Sequence, residues 1–151
     1  MKKTAIAISG QGNLGKSTTV KYIAQLLMKQ PGALCTPSIL DFDQDIKAII
    51  TQGTLTIGIE SQDDPGLRQA DTLNEFSRKG CDLIICACRA HGSTHDAVTL
   101  LKKNYNVIWA TNYRGDSHHE LLNQRSAEDI VQMIEMIVAL PYEKKMEVAL
   151  G

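Results

Sequence analysis

The sequence predicts an α/β protein: three layers, built on a mainly parallel sheet of about five strands. Three observations carry that expectation. Short apolar runs alternate along the chain with stretches whose apolar residues recur at helical spacing, the pattern of a parallel sheet covered on both faces. The first apolar run empties into a glycine-rich loop, Gly10 to Gly15, with a helical stretch directly behind it. Polar and charged residues follow each apolar run, so they would gather at the carboxyl edge of the sheet, where such folds bind ligands.

The elements follow in order. Thr4 to Ser9 is the first strand, and Val20, Ile23, Ala24, Leu27 and Met28 form the stripe of the helix behind it, which Pro31-Gly32 ends. Ser38-Ile39-Leu40 reads as the second strand. Ile46 to Leu55 reads as a turn-bearing segment, a helical turn or a hairpin around Gln52-Gly53. Leu55 to Ile59 is the third strand and Leu67 to Arg78 a helix, closed by Lys79-Gly80. Leu83 to Ala87 is the fourth strand, followed by a helix capped by Ser93 or Thr94 and carrying Ala97, Val98, Leu100 and Leu101. Asn106 to Ala110 is the fifth strand, with Trp109 expected in the core. The last helix is expected after Asn123 or Ser126, with Ile130, Met133, Ile134, Ile137 and Val138 facing inward and Pro141 as its stop.

A length of 151 residues suits a single domain, residues 1–151. A net charge of −1 gives no bulk attraction to nucleic acid, and no apolar run approaches the 18 or so residues of a membrane span. Met1-Lys2-Lys3 opens like a secretory leader, but the apolar stretch behind it reaches only Ile8. A cytoplasmic protein is the expectation, with Cys35, Cys81, Cys86 and Cys88 reduced. Cys86-x-Cys88 with His91 and His95 matches none of the common zinc spacings, so packing is expected of these thiols.

Gly10-Gln11-Gly12-Asn13-Leu14-Gly15-Lys16-Ser17 spells G-x-x-x-x-G-K-S between a strand and a helix. Glycines let successive N–H groups turn inward toward phosphate oxygens, and the following helix adds its positive end. Lys16 is expected to meet the β- and γ-phosphates, Ser17 to meet Mg²⁺, and Thr18 to close the cradle. The octapeptide resembles the Walker A motif of the P-loop NTPase superfamily, whose element order spans the whole chain. That resemblance implies a three-layer P-loop fold that binds ATP with Mg²⁺. ATP is expected over GTP because the chain carries no N-K-x-D; Thr111-Asn112-Tyr113-Arg114 only faintly resembles it.

The superfamily places an acid at a strand end beside the first strand to orient the metal's waters. The third strand ends in Glu60, Asp63 and Asp64, so Asp63 or Glu60 is expected in that role. Leu40-Asp41-Phe42-Asp43 resembles the D-x-D of MinD/ParA-type ATPases, which implies a hydrolytic role for Asp43; Gln11 stands where those enzymes carry a signature lysine. Asp41-Phe42-Asp43-Gln44-Asp45-Ile46 and Gly66-Leu67-Arg68 resemble shikimate kinase-like enzymes, which implies that Asp41 and Asp43 orient an acceptor hydroxyl and Mg²⁺. Arg89 and Arg114 are candidates for stabilising charge on a transferred phosphoryl group, and Asn112 for contacting the base. The expected partners are a nucleoside triphosphate and either a regulatory protein or a small phosphate acceptor. A module that holds nucleotide without turnover is the third possibility.

Overall fold

The computed structural model describes residues 2–10, 15–62, 67–89 and 92–150, without the side chains of residues 67 and 140–150. Four helices and six strands alternate through it: β1 (Thr4–Gly10), α1 (Lys16–Met28), β2 (Leu34–Thr36), β3 (Lys47–Gln52), β4 (Leu55–Glu60), α2 (Leu67–Arg78), β5 (Leu83–Arg89), α3 (Ser93–Leu100), β6 (Asn106–Ala110) and α4 (His119–Leu150). One sheet holds all six strands in the order β2-β3-β4-β5-β1-β6. Its β4-β5-β1-β6 half is parallel, and β3 runs antiparallel to both β2 and β4. Among the described residues no helix is long and apolar enough to cross a membrane.

Side-chain alternation along the central strands sorts the residues into two cores, because successive residues of a strand face opposite sides of the sheet. Ile6, Ile8, Ile57, Ile59, Leu83, Ile85 and Ala87 face one way and bury against Val20, Ile23 and Leu27 of α1 and Ala127, Ile130 and Ile134 of α4. Ala5, Ala7, Ile84, Cys86 and Cys88 face the other way, against Leu73 and Phe76 of α2 and Ala97 and Val98 of α3. The second face is lined mostly by small residues. Gly58 continues it on β4, where an added Cβ would stand 2.5 Å from Cγ of Phe76.

The sheet has six strands where about five were expected. Ser38 to Leu40 forms no strand; Pro37 lacks the N–H a ladder needs, and Ile39 is 86% exposed. The edge strand lies earlier, at Leu34–Thr36. The segment before Leu55 is a hairpin arm, β3, turned by Gly53 at φ +60° as a two-residue hairpin loop requires. Trp109 is not in the core: it lies on the edge strand, 37% exposed, with its ring stacked on His95 at 4.7 Å.

α4 begins at His119, earlier than expected. Its first two turns are mostly polar because they face loops and solvent, so apolar periodicity starts only at Ala127. It also runs past Pro141, whose fixed φ is helical even though the ring removes one N–H donor.

Replacing Gly58 with alanine forces a methyl into the Phe76 ring. We expect a loss of about 1–3 kcal/mol from overpacking, read as a lower urea midpoint with an unchanged m-value.

Candidate functional site

The chain leaving β1 enters α1 on one face of the sheet, and the chain leaving β5 enters α3 on the other. Adjacent strands whose continuations part in this way open a crevice at their carboxyl ends, the usual ligand position of an open α/β sheet. Gly10 and Arg89 are the last register pair across it.

Lys16 fills the floor of this crevice. Its side chain is buried, and its ammonium donates to the carbonyl oxygens of Gly10 at 2.8 Å and Cys88 at 3.1 Å. It thereby bridges β1 and β5 where the backbone ladder ends. α1 starts there from Gly15, with no side-chain cap and no acid in its first turn. That leaves the positive end of the helix turned toward the crevice. Ser17 is half-buried in this turn and Thr18 is exposed.

A second cluster fixes the end of the glycine loop. Gly15 sits at φ +83°, and a Cβ there would meet Asn123 Oδ1 at 2.4 Å and Asn112 Nδ2 at 3.0 Å. Asn123, on α4, accepts hydrogen bonds from Asn112 Nδ2 at 3.2 Å and from the Thr19 hydroxyl at 3.5 Å. Ser126 Oγ accepts the Tyr113 N–H at 2.7 Å, holding the loop after β6 against α4. Asn123 and Ser126 thus act inside the helix, not as its caps. The Tyr113 hydroxyl donates to Asp129 at 2.6 Å, and that bond pushes the phenol's pKa up.

The third cluster lies at the end of β4. Glu60 faces the α2 side and is fully buried, with Gln62 N–H donating to Oε2 at 3.0 Å and Gln69 Nε2 to Oε1 at 2.6 Å. The same Gln69 nitrogen reaches the carbonyls of Gln62, at 2.6 Å, and Ala87. With neighbouring strands about 4.8 Å apart, β4 lies about 10 Å from β1 across the sheet.

Asp41 and Asp43 lie on the exposed loop that leads into β3, the third strand from β1, at the same edge of the sheet. Asp41 Oδ1 accepts the Asp43 N–H at 3.0 Å within its own loop. Asp45 ties the loop to the chain after β4, taking the Ser61 hydroxyl at 3.4 Å and pairing with Arg68 at 3.7 Å. Arg89 ends β5 beside the crevice, its N–H donating to Thr94 Oγ1 at 3.0 Å; Arg114 is exposed after β6. Gln11, Gly12, Asn13, Leu14, Asp63, Asp64 and His91 lie outside the described residues.

The edge thus brings together Gly10, Gly15, Lys16, Ser17, Arg89 and Asn112, and holds Asp41 and Asp43 to one side. Among the described residues no three His, Cys, Asp or Glu side chains converge on a metal position. Cys86 and Cys88 are buried in the second core.

The sequence reading passed over Gln69 and Asn123. Gln69 falls on the buried stripe of α2 with Leu73 and Phe76, and a polar residue at i, i+4, i+7 with two core positions was the signal. Asn123 left no such signal. No protein-family model, curated protein or solved structure matches this chain.

Two predictions follow from this geometry. Gly15→Ala combines the left-handed φ penalty of about 1–2 kcal/mol with a clash against Asn123, so thermal unfolding should shift to lower temperature, and less so once Asn123 is also Ala. Burial, then the Glu60 charge, then Cys88 push the Cys86 thiol well above its ordinary range; burial, then Asp82, raise Cys81. Unfolded thiols ionise above about pH 8.5, whereas the native ones keep their protons. The native state then binds more protons, and stability falls as pH rises. The urea midpoint should drop between about pH 8 and 10, and Cys86→Ala should flatten that fall.

Proposed function

We propose that this chain is a P-loop nucleotide-binding protein that takes ATP with Mg²⁺ and cleaves its terminal phosphoanhydride. The observation that carries the reading is the buried Lys16 ammonium on the floor of the β1–β5 crevice, at the end of G-x-x-x-x-G-K-S and the start of α1. A desolvated cation at a helix N-terminus favours a multiply charged anion, and a polyphosphate is the one whose cradle this loop sequence resembles. Its β- and γ-oxygens would take Lys16 and the first-turn N–H groups of α1.

The donor set fits a hydrated Mg²⁺. This ion keeps most of its waters and takes few protein ligands, so one hydroxyl and one nearby carboxylate suffice. Ser17 would supply the hydroxyl, and Glu60 takes the acid's role in this reading. When bound, the ion would offset charge on the β- and γ-phosphates. Arg89, at the crevice mouth, would add positive charge on the side opposite α1. Asn112, held against Gly15 by Asn123, would set the base side of the site.

Hydrolysis is favoured over transfer to an acceptor by the Asp41-Phe42-Asp43 loop. It stands apart from the crevice, and Asp41 is bonded within its own turn. The fitting role is a partner-coupled ATPase, in which cleavage changes contact with another protein.

The test is ATP binding and phosphate release with Mg·ATP and Mg·GTP, in the native protein and Lys16→Ala. A charge-assisted bond is worth about 1.5–3 kcal/mol, so affinity should fall roughly 10- to 100-fold at 1.4 kcal/mol per decade. Phosphate release should drop to background, with ATP preferred. Equal binding and release in both proteins would sink the reading.

A further inference from the structure

Gln69 occupies a place in this fold that packing does not explain. It is 1% exposed, on the stripe of α2 that otherwise buries Leu73 and Phe76. Its amide nitrogen carries two protons, yet three oxygens surround it: Glu60 Oε1, the Gln62 carbonyl and the Ala87 carbonyl. Exchanging its nitrogen and oxygen would set an acceptor against three acceptors, so the orientation is fixed by its neighbours. Its own Oε1, and that of Gln62, are buried with no hydrogen-bond partner among the described residues.

Two consequences follow. The bond to Ala87 lies where the β4–β5 ladder stops, one residue beyond the Glu60↔Cys86 pair. Gln69 therefore ties α2 to β5 as Lys16, one carbonyl further on at Cys88, ties α1 to it. Beside Glu60, the side-chain oxygens of Gln62 and Gln69 find no donor among the described residues. Buried acceptors without partners are costly, and the waters of a hydrated cation are donors.

We propose that Gln69 is a positioning residue that acts through Glu60: its amide sets the carboxylate, and with Gln62 it completes a shell of acceptors for a hydrated Mg²⁺ at the end of β4. This rests on the nucleotide-site reading above, and it adds the residue that governs how tightly the metal is held. α2 is thereby linked to the site by one side chain.

The experiment measures the free Mg²⁺ needed for half-maximal enhancement of ATP binding, using a fluorescent ATP analogue. It compares the native protein with Gln69→Leu, Gln69→Met, Glu60→Gln and the Gln69→Leu/Glu60→Gln pair. Substituting a group that orients a metal's surroundings typically costs 10- to 100-fold in metal affinity. The Mg²⁺ requirement should therefore rise at least about tenfold in Gln69→Leu, while ATP affinity in EDTA stays within about twofold of native. In the Glu60→Gln background the Gln69 substitution should add little, because residues acting as one unit are not additive.

Should circular dichroism show Gln69→Leu unfolded, Gln69→Met carries the test, since its flexible thioether fills the space without donating to Glu60. An unchanged Mg²⁺ requirement in a folded variant overturns the proposal, as does full additivity with Glu60→Gln. If binding depends on Lys16 but not on Gln69, this proposal falls alone. If the native protein binds no nucleotide, it falls together with the reading of the glycine loop.

Discussion

The rest of this molecule is arranged around the Lys16 ammonium between the ends of β1 and β5. A cation taken out of water is expensive unless its protons find acceptors. Here two backbone carbonyls, Gly10 and Cys88, accept from it in the last pairs of the β1–β5 ladder. That requires β1 and β5 to be neighbours, and the chain crosses from β1 to the far edge at β2 before returning through β3 and β4 to β5. It also requires α1 to begin at once after the loop, so that its first residue can reach back under the strand. Sheet order and the parting of α1 and α3 onto opposite faces both serve that one contact.

The sheet's two faces are built differently. Toward α1 and α4 the strands present Ile6, Ile8, Ile57, Ile59, Leu83 and Ile85, large branched side chains that interlock. Toward α2 and α3 they present Ala5, Ala7, Gly58, Cys86 and Cys88, which let Phe76 and Tyr105 lie close. The Tyr105 hydroxyl is satisfied by the Cys81 carbonyl at 2.6 Å. The second face also buries polar side chains at its carboxyl end, Glu60 and Gln69. Small residues give the volume they need, and the adjoining Cys86 thiol, kept protonated by burial and the Glu60 charge, adds no competing anion.

What the sequence made legible was the part where local pattern and tertiary role agree. β1, β4, β5, β6 and α2 fall where apolar runs and helix breakers place them; α3 starts at Ser93, but Gly92 takes the cap position in place of the expected Ser93 or Thr94, and the Thr94 hydroxyl turns to the Arg89 N–H. Ser38–Leu40 misled because an apolar pair beside Pro37 looks like a strand, while the true edge strand, Leu34–Thr36, has no buried residue to announce it. α4 was shortened in the reading because Asn123 and Ser126 are good helix caps in isolation. Their hydrogen-bond partners, Asn112, Thr19 and Tyr113, are brought to them only by folding. Of the glycine motif, the place of Lys16 at the end of β1 and start of α1 was legible, because strand, loop and helix follow one another there. The Glu60–Gln69 pair was half legible: the acid stood at a strand end, but its partner is nine residues further along the chain.

The asymmetry of the faces bears on where a ligand's arrival would be felt. The α1/α4 side packs the amides of Asn112 and Asn123 against Gly15, beside a core of close-packed aliphatics, and such cores resist displacement. On the α2 side Glu60 accepts from the Gln62 N–H and from the Gln69 amide, which has more acceptors than protons, so a small gain of donors there changes the balance among its bonds. A ligand seated in the crevice meets a stiff wall on one side and an adjustable one on the other. A change that must travel outward from the site would run through Gln69 into α2 and its neighbour α3, not through α1 and α4. The nearest outward surface on that route is the groove between the two helices, lined by Ala70, Leu73, Asn74, Ala97 and Leu101. In the nucleotide-binding reading proposed above, holding the anion and registering it would therefore fall to different faces of the sheet.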